Sequence, residues 1–562
     1  MGEGDTGLGG RPWDKRGAGK DAPGGVWDAI VIGSGMGGMT AAAMLAKMGQ
    51  RVLVLEQHYV PGGFTHMFDR PGYTWDVGVH AVGEVTTHSM TGRLLDHLTD
   101  GALTWASLGP VYDEFYWPDD VRIDFPDSPK AFRQNLVDAF PAEVRAIDGY
   151  LDAVREVSGA MRGYYLARTL PASVGGLAER VVARRAVAAF RETTEARLSR
   201  LTQNPRLKSV LASQWGYYGS PPSRSSFAIQ ALVTKHFMHG GYYPVGGAGE
   251  IARTLLSTVA NHGGWTRISS DVEQIVLERG KVVGVRLKKS GEVIRAKRII
   301  SAAGVMSTLQ RLLPRDHVEA DWTRGIQRLR PAPAHVCLYL GFKGDIRKAG
   351  ATAANKWFYE TWSTEAEAWD TRASNGAMPG PHLSSRPSGA DAPCLYSSFP
   401  SLKDPRHDPG PDERHTGEVV TFVPWERFAS WVDTRWKKRG ASYEEMKAAI
   451  QDHMLEQFLR HMPGLRGMID VVELSTPVST HHFTRPIEGS IYGIEPTPER
   501  FACQALRPRS PIPNLFFAGS EVATVGVIGA MMGGVLAAMS AEPVGTVKLM
   551  RAISGRGPRG AH

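Results

Sequence analysis

The chain has 562 residues, 42% of them hydrophobic and 22% charged, a globular composition too long for one core, which excludes a disordered or fibrous protein and implies two domains. Its net charge of +8 suits anionic lipid surfaces or nucleic acid, but no nucleic-acid-binding motif accompanies it, so no nucleic-acid partner is expected. Cys337, Cys394 and Cys503 stand apart without CxxC spacing and no His/Asp/Glu cluster has metal-ligand spacing, which excludes a disulfide framework and a metal site.

Residues 1–26 are rich in Gly, Asp, Lys and Arg and have no apolar stretch; they read as a disordered leader rather than a secretion signal. A short apolar run from Ala29 to Ile32 predicts a strand that leads into Gly33-Ser34-Gly35-Met36-Gly37-Gly38. An alanine-rich helix follows, then a second strand from Val52 to Leu55 that ends at Glu56. This is the pattern of a dinucleotide site. Gly33 permits the tight strand-to-helix turn, Gly35 lets a pyrophosphate approach the backbone, and Gly38 lets helix and strand pack closely. The helix N-terminus offers free N–H groups and partial positive charge to the phosphates. Glu56, 18 residues after Gly38, can accept hydrogen bonds from the ribose hydroxyls.

Pro61-Gly62-Gly63-Phe64 comes next, and then Gly72-Tyr73-Thr74-Trp75-Asp76-Val77-Gly78-Val79-His80. Together these motifs resemble the flavoprotein family of phytoene desaturases, carotenoid isomerases and retinol saturases. The family's FAD-binding signature runs from the ribose acid into a Gly-Gly pair and an Asp-x-Gly-x-His strand. The form here, Asp76 to His80, is most similar to the retinol saturase and carotenoid isomerase branch. Residues 510–534 (SPIPNLFFAGSEVATVGVIGAMMGG) resemble the family's closing motif, with Ser520 and Glu521 where Gln and Asp are more usual. Asn514 to Ala518 reads as a last strand and Gly519-Ser520-Glu521 as its exit turn. The helix from about Gly526 then points its positive end at the flavin, which favours an anionic reduced ring. With matches at 240–247 and 484–501, the resemblance covers residues 28–541.

The resemblance implies an FAD cofactor and an α/β fold, a Rossmann-type, glutathione reductase-like FAD-binding domain interleaved with an α+β substrate domain. The FAD domain would comprise residues 27–109, 235–310 and 471–545, the substrate domain 110–234 and 311–470, and a basic tail 546–562. The implied cofactor contacts are Gly33, Ser34, Gly35, Gly37, Gly38, Glu56, Gln57, Gly62, Gly63, Val272, Ala303, Gly519, Glu521, Ile528, Gly529 and Ala530.

Further along, Gly247-Ala248-Gly249-Glu250-Ile251-Ala252 fits GxGxxA, with Asp271 22 residues after Gly249. A second dinucleotide site is disfavoured because the preceding MHGGYYPV carries glycines and a proline where a buried strand is needed. Thr266–Ile268, Val272–Leu277 and Lys281–Lys288 read as strands of an inserted sheet, and Arg298–Gly304 as a return to the parallel one. The Pro-, Ser-, Asp- and Gly-rich stretch from Lys356 to Arg414 reads as long loops over a mixed sheet. Trp425, Phe428, Trp431, Val432 and Trp436 fall roughly on one helical face beside Arg435, Lys437, Lys438 and Arg439. That pattern suits a helix on a bilayer surface or an ordinary core-facing helix. Val522 to Met539 is 18 residues without a charge, the lower edge of a membrane span, with Gly529 and Gly533 in GxxxG spacing. Because it begins directly after Gly519-Ser520-Glu521, it reads as a buried cofactor helix.

The chemistry implied is FAD-dependent oxidoreduction of a C=C or C–C bond in a lipophilic polyene: a carotenoid, a retinoid or a polyunsaturated acyl lipid. Saturation is favoured by the Asp76–His80 motif. The alternatives are a cis-trans isomerase using reduced FAD, and a flavin-free prenyl-lipid-binding protein of GDP-dissociation-inhibitor type, against which the complete FAD motif argues. An amine oxidase is disfavoured because Cys503 lies upstream of the closing motif. Candidate acids and bases are His80, Tyr492 and the pair His481 and His482; on a strand the pair would face opposite ways, so one at most, His482, is retained. The electron donor or acceptor is unidentified. A cytoplasmic protein, in peripheral contact with the inner face of a membrane, is expected.

Overall fold

The computed structural model describes residues 12–14, 25–365, 369 and 391–554. Its first sheet grows from short, wholly apolar runs. Ala29–Ile32 and Val52–Leu55 are buried at every residue, as strands covered on both faces must be. Five strands lie parallel in the order Leu515–Phe517, Ile299–Ser301, Ala29–Ile32, Val52–Leu55, Trp265–Arg267. This is a Rossmann-type sheet whose strands come from three separate stretches of chain.

Small residues let its helices pack backbone to backbone. A Cβ on Gly38 would lie 2.2 Å from the Gly33 carbonyl oxygen, one on Gly37 2.5 Å from Gly519 Cα, and one on Gly534 2.3 Å from the Gly37 oxygen. The Met36–Lys47 helix therefore sits directly against the Gly526–Ala541 helix. The uncharged run at 522–539 thus enters the largely buried 16-residue helix Gly526–Ala541. Among the described residues no helix is long and apolar enough to cross a membrane. The inserted sheet is the antiparallel meander Val272–Glu278, Lys281–Leu287, Val293–Arg295.

The second large sheet has seven strands in the order Ile469–Ser475, Ala334–Phe342, His415–Val423, Cys394–Ser398, Asn355–Tyr359, Val111–Trp117, Val121–Pro126. All neighbours are antiparallel except Asn355–Tyr359 on Val111–Trp117. Ala334–Phe342 is buried along its whole length. The helices Val144–Arg168 and Phe227–His236 pack together on this side of the molecule. Between the sheets, the hairpin Met67–Arg70 and Tyr73–Asp76 delivers Asp76 and His80 to the interior.

Several expectations are corrected. Ile469–Ser475 straddles the expected boundary at 470/471 and belongs to the seven-stranded sheet. Within the leader, the Asp14 N–H donates to the Thr266 oxygen at 3.1 Å and the Ile268 N–H to the Asp14 oxygen at 2.9 Å, so this piece is ordered against a strand; most of the leader lies outside the described residues. The tail begins as a helix, Pro543–Ser554, and its last residues also lie outside. Asn355–Tyr359 and Cys394–Ser398 are buried interior strands rather than loops, while 366–368 and 370–390 lie outside the described residues. The stretch at 425–436 forms two single turns, Trp425–Arg427 and Ala429–Trp431, not one amphipathic helix. Its aromatics find different neighbours: Phe428 is in the core, Trp425 faces His481 and Trp436 faces His482. Tyr242–Pro244, before the GxGxxA motif, pairs antiparallel with Trp105–Ser107 outside the parallel sheet, so no second βαβ unit exists there.

Candidate active site

A cavity of about 1190 Å³ runs from the glycine loop to the helices of the second region. That exceeds the roughly 300–1,000 Å³ typical of single-ligand pockets. Gly33, Gly35, Gly37, Glu56, Gln57, Gly62, Gly63, Val272, Ala303, Gly519, Glu521, Ile528, Gly529 and Ala530 line one part of it. His80, Tyr217, Tyr492, Met161, Leu166, Ile229 and Leu232 line the other.

Gly33 turns with φ +94°. The Met36–Lys47 helix that follows has neither a side-chain cap nor an acid in its first turn, and a Cβ on Gly35 would meet nothing within 4 Å. Free N–H groups thus face open space, the environment a pyrophosphate needs. The Gly526–Ala541 helix begins the same way, without a cap or a first-turn acid. A dinucleotide flavin therefore fits the residues present.

Ser34 and Gly38 do not line the cavity; they build it. The Ser34 N–H and Oγ–H donate to Glu56 Oε2 at 2.9 and 2.6 Å, and Ser34 Oγ accepts from the Gly62 N–H at 3.0 Å. The His58 N–H donates to Glu56 Oε1 at 2.7 Å. The ribose-acid candidate is therefore locked in place by its own loops. Glu521 Oε2 accepts the Val305 and Met306 N–H groups, capping the turn after Ile299–Ser301. Burial raises its pKa, and Arg500 ties the neighbouring Ser520 carbonyl to that of Ile494 by donating to both.

Of the acid–base candidates, His80 and Tyr492 reach the cavity. His482 does not, and this is a correction. Pro477–Thr484 is a helix rather than a strand, and His482 is exposed on it, stacked on Trp436 with ring centroids 5.6 Å apart. His481 lies off the cavity wall as well, with Nδ1 3.2 Å from the Pro486 oxygen. The Tyr492 hydroxyl donates to the Gly216 carbonyl at 3.1 Å, and burial raises its pKa.

Behind His80 lies a buried polar network that sequence reasoning missed. His80 Nδ1 is 2.7 Å from Glu418 Oε2. The pair is not aligned as a hydrogen bond, and neither atom has another partner among the described residues. Glu418 Oε1 accepts the Asp76 N–H at 2.9 Å. Asp76 accepts from the Tyr243 hydroxyl and from the Ala248 N–H, the latter at 3.1 Å, at the start of the Gly249–Asn261 helix. Lys403 Nζ donates to the His80 carbonyl and Ser398 Oγ, both at 2.7 Å, and to Asn355 Oδ1.

Burial sets the protonation states. It raises Glu418 to about 8 and Asp76 to about 7, each against attraction from Lys403 or bonds from its neighbours. It lowers His80 to about 3 and Lys403 to about 7. Two donors and a helix N-terminus support Asp76 as the anion, so Glu418 is the acid that keeps its proton at neutral pH. Asp76 and His80 stand in a sequence motif, but Glu418 shows only as a lone acid in the strand His415–Val423.

Residues 36–541 match the family described as flavin containing amine oxidoreductase. The chain is 31% identical over 525 residues to an all-trans-retinol 13,14-reductase of Danio rerio, covering 90% of this chain and 84% of that protein. It is 26% identical over 480 residues to a chloroplastic prolycopene isomerase of an Oncidium hybrid cultivar, covering 84% and 76%. Among solved structures, a cyclohexylamine oxidase from Brevibacterium oxydans is similar at TM-score 0.56 and 16% identity, over 93% of this chain and 100% of that one. That likeness is one of fold alone.

Proposed function

The chain belongs to the flavin containing amine oxidoreductase family, and on that premise we propose that it binds FAD and saturates a C=C bond of a lipophilic polyene. FAD would lie along the glycine loop, with its phosphates at the Met36–Lys47 helix start and its ribose at Glu56. When bound, the flavin supplies a hydride to one carbon of the double bond.

The second carbon needs a proton, and the observation that carries this reading is the His80–Glu418 contact of 2.7 Å at the wall of an otherwise largely apolar cavity. His80, neutral, gives up the proton on Nε2 to the substrate carbon and takes the Glu418 proton at Nδ1. Asp76 and Lys403 hold the two residues through main-chain and side-chain bonds. Aromatic and aliphatic walls exclude water from the reacting bond.

The likeness to prolycopene isomerase supports a second reading, in which the same cavity changes double-bond geometry with no net electron transfer. One experiment separates them. The purified holoprotein, with its flavin oxidised or chemically reduced, is incubated with all-trans-retinol and a cis-carotene, and products are weighed by mass spectrometry. Saturation gives a product heavier by two hydrogens only with reduced flavin. An unchanged mass with altered retention makes the protein an isomerase, loss of two hydrogens with oxidised flavin makes it a desaturase, and no change in any arm overturns the polyene reading.

A further inference from the structure

The Ala172–Val182 helix is mounted with Glu179 inward. Glu179, 4% exposed, is buried with Arg507 and Arg168, the latter with Nε 3.1 Å away. Its small residues press on the same partners: a Cβ on Gly175 would fall 2.3 Å from Arg507 Nη1, and one on Gly176 3.3 Å from the Gln504 side chain. The apolar side faces out. Val174, Leu177 and Val181, at spacings of a single helical face, are 53%, 70% and 73% exposed. A surface helix that buries Glu179 and displays Val174, Leu177 and Val181 reverses the arrangement that water favours.

This face adjoins the mouth of the cavity. Leu166 and Leu170, at the end of the preceding helix, are also exposed, and Leu166 lines the cavity. Met90 and Val547, exposed from two other helices, line it too. Cations stand among the exposed charges near these residues: Arg162 and Arg551 line the cavity, with Arg184, Arg185 and Lys548 nearby in sequence on the same helices or the next. Arg185 pairs loosely with Glu156 at 3.8 Å. Displayed apolar side chains with exposed cations at the adjoining mouth match the boundary between acyl chains and anionic headgroups.

We propose that this face docks on an anionic lipid bilayer, the Ala172–Val182 helix lying at headgroup depth and the cavity opening into the acyl layer. The proposal rests on the polyene reading only for what passes through the mouth; the docking stands by itself. Since no described helix can span a bilayer, attachment is to one leaflet.

The test is flotation of the full-length holoprotein with phosphatidylcholine vesicles, with and without about a quarter phosphatidylglycerol. Wild type floats with the anionic vesicles and is released by high salt. The Leu177→Glu/Val181→Glu double variant, changed only at outward positions, keeps its flavin spectrum and loses vesicle binding by roughly tenfold or more. It also shows a raised KM for retinol presented in those vesicles but not for retinol carried by cyclodextrin. Wild type that fails to float, or a variant that floats equally well, overturns the proposal. So does a wild-type dimer that the double variant renders monomeric, because the face is then a subunit interface. Flotation as expected without turnover of retinol would sink the polyene reading alone.

Discussion

Glu418 is wholly buried and sits one contact behind His80, which lines the cavity and is the proposed proton donor. Its carboxyl is pushed by burial from the ordinary 4.5 to about 8, so raising pH through about 8 removes the proton that His80 must receive. Saturase activity is expected to fall on that alkaline limb. Glu418→Gln should lower turnover by roughly 10²–10⁴-fold, abolish the limb and leave the flavin absorption spectrum intact. A limb that persists in Glu418→Gln places the donor elsewhere. Stability follows the same group. The folded state keeps a proton that the unfolded chain releases, so this site makes stability decline between about pH 4.5 and 8, and thermal melts of Glu418→Gln across that range should lack this part of the slope. His80 was legible in the sequence because a local motif holds it. Glu418 was not, because 342 positions separate it from its partner Asp76.

The elements read most accurately from sequence are those whose pattern is enforced locally. The strands Ala29–Ile32, Val52–Leu55 and Leu515–Phe517 are short apolar runs that only a covered sheet can accept. The aromatic spacing of 425–436 misleads because each ring is placed by a distant partner rather than by a shared helical face. The Ala172–Val182 helix is oriented by its own Glu179, which is buried with Arg168 and with Arg507 from the far end of the chain. Glu179→Ala would leave Arg168 and Arg507 buried without their carboxylate, a loss of about 3–5 kcal/mol. Hydrogen exchange across 172–182 should then rise well above wild type while the parallel sheet stays protected. Unchanged protection there would show that the Glu179 cluster does not hold the helix.

At the scale of the molecule, the cofactor site is assembled from strands near residues 30, 300 and 516, and the substrate walls come from the segments between. Flavin binding therefore clamps the whole chain. Adding FAD to the apoprotein at a free concentration 100 times its Kd should stabilise it by about 2.7 kcal/mol. Flavin fluorescence and near-ultraviolet circular dichroism should then report one shared unfolding transition. Two separate transitions would mean that the seven-stranded sheet melts independently of the cofactor region.

The glycine spacing and the strand-helix-strand pattern determined, by themselves, the parallel sheet's first two strands, the glycine turn between strand and helix, and the acid that follows at Glu56. Backbone geometry and helix dipoles act over a few residues, and such short-range demands leave a written trace. Three things were decided only by tertiary structure: the proton-bearing Glu418 behind His80, the exclusion of His482, and the helix that turns its apolar face to solvent. Glu418 and the helix depend on burial and on charges brought together across hundreds of residues, and His482 on a helical turn stacked against Trp436; no local pattern records contacts that exist only once the chain has closed.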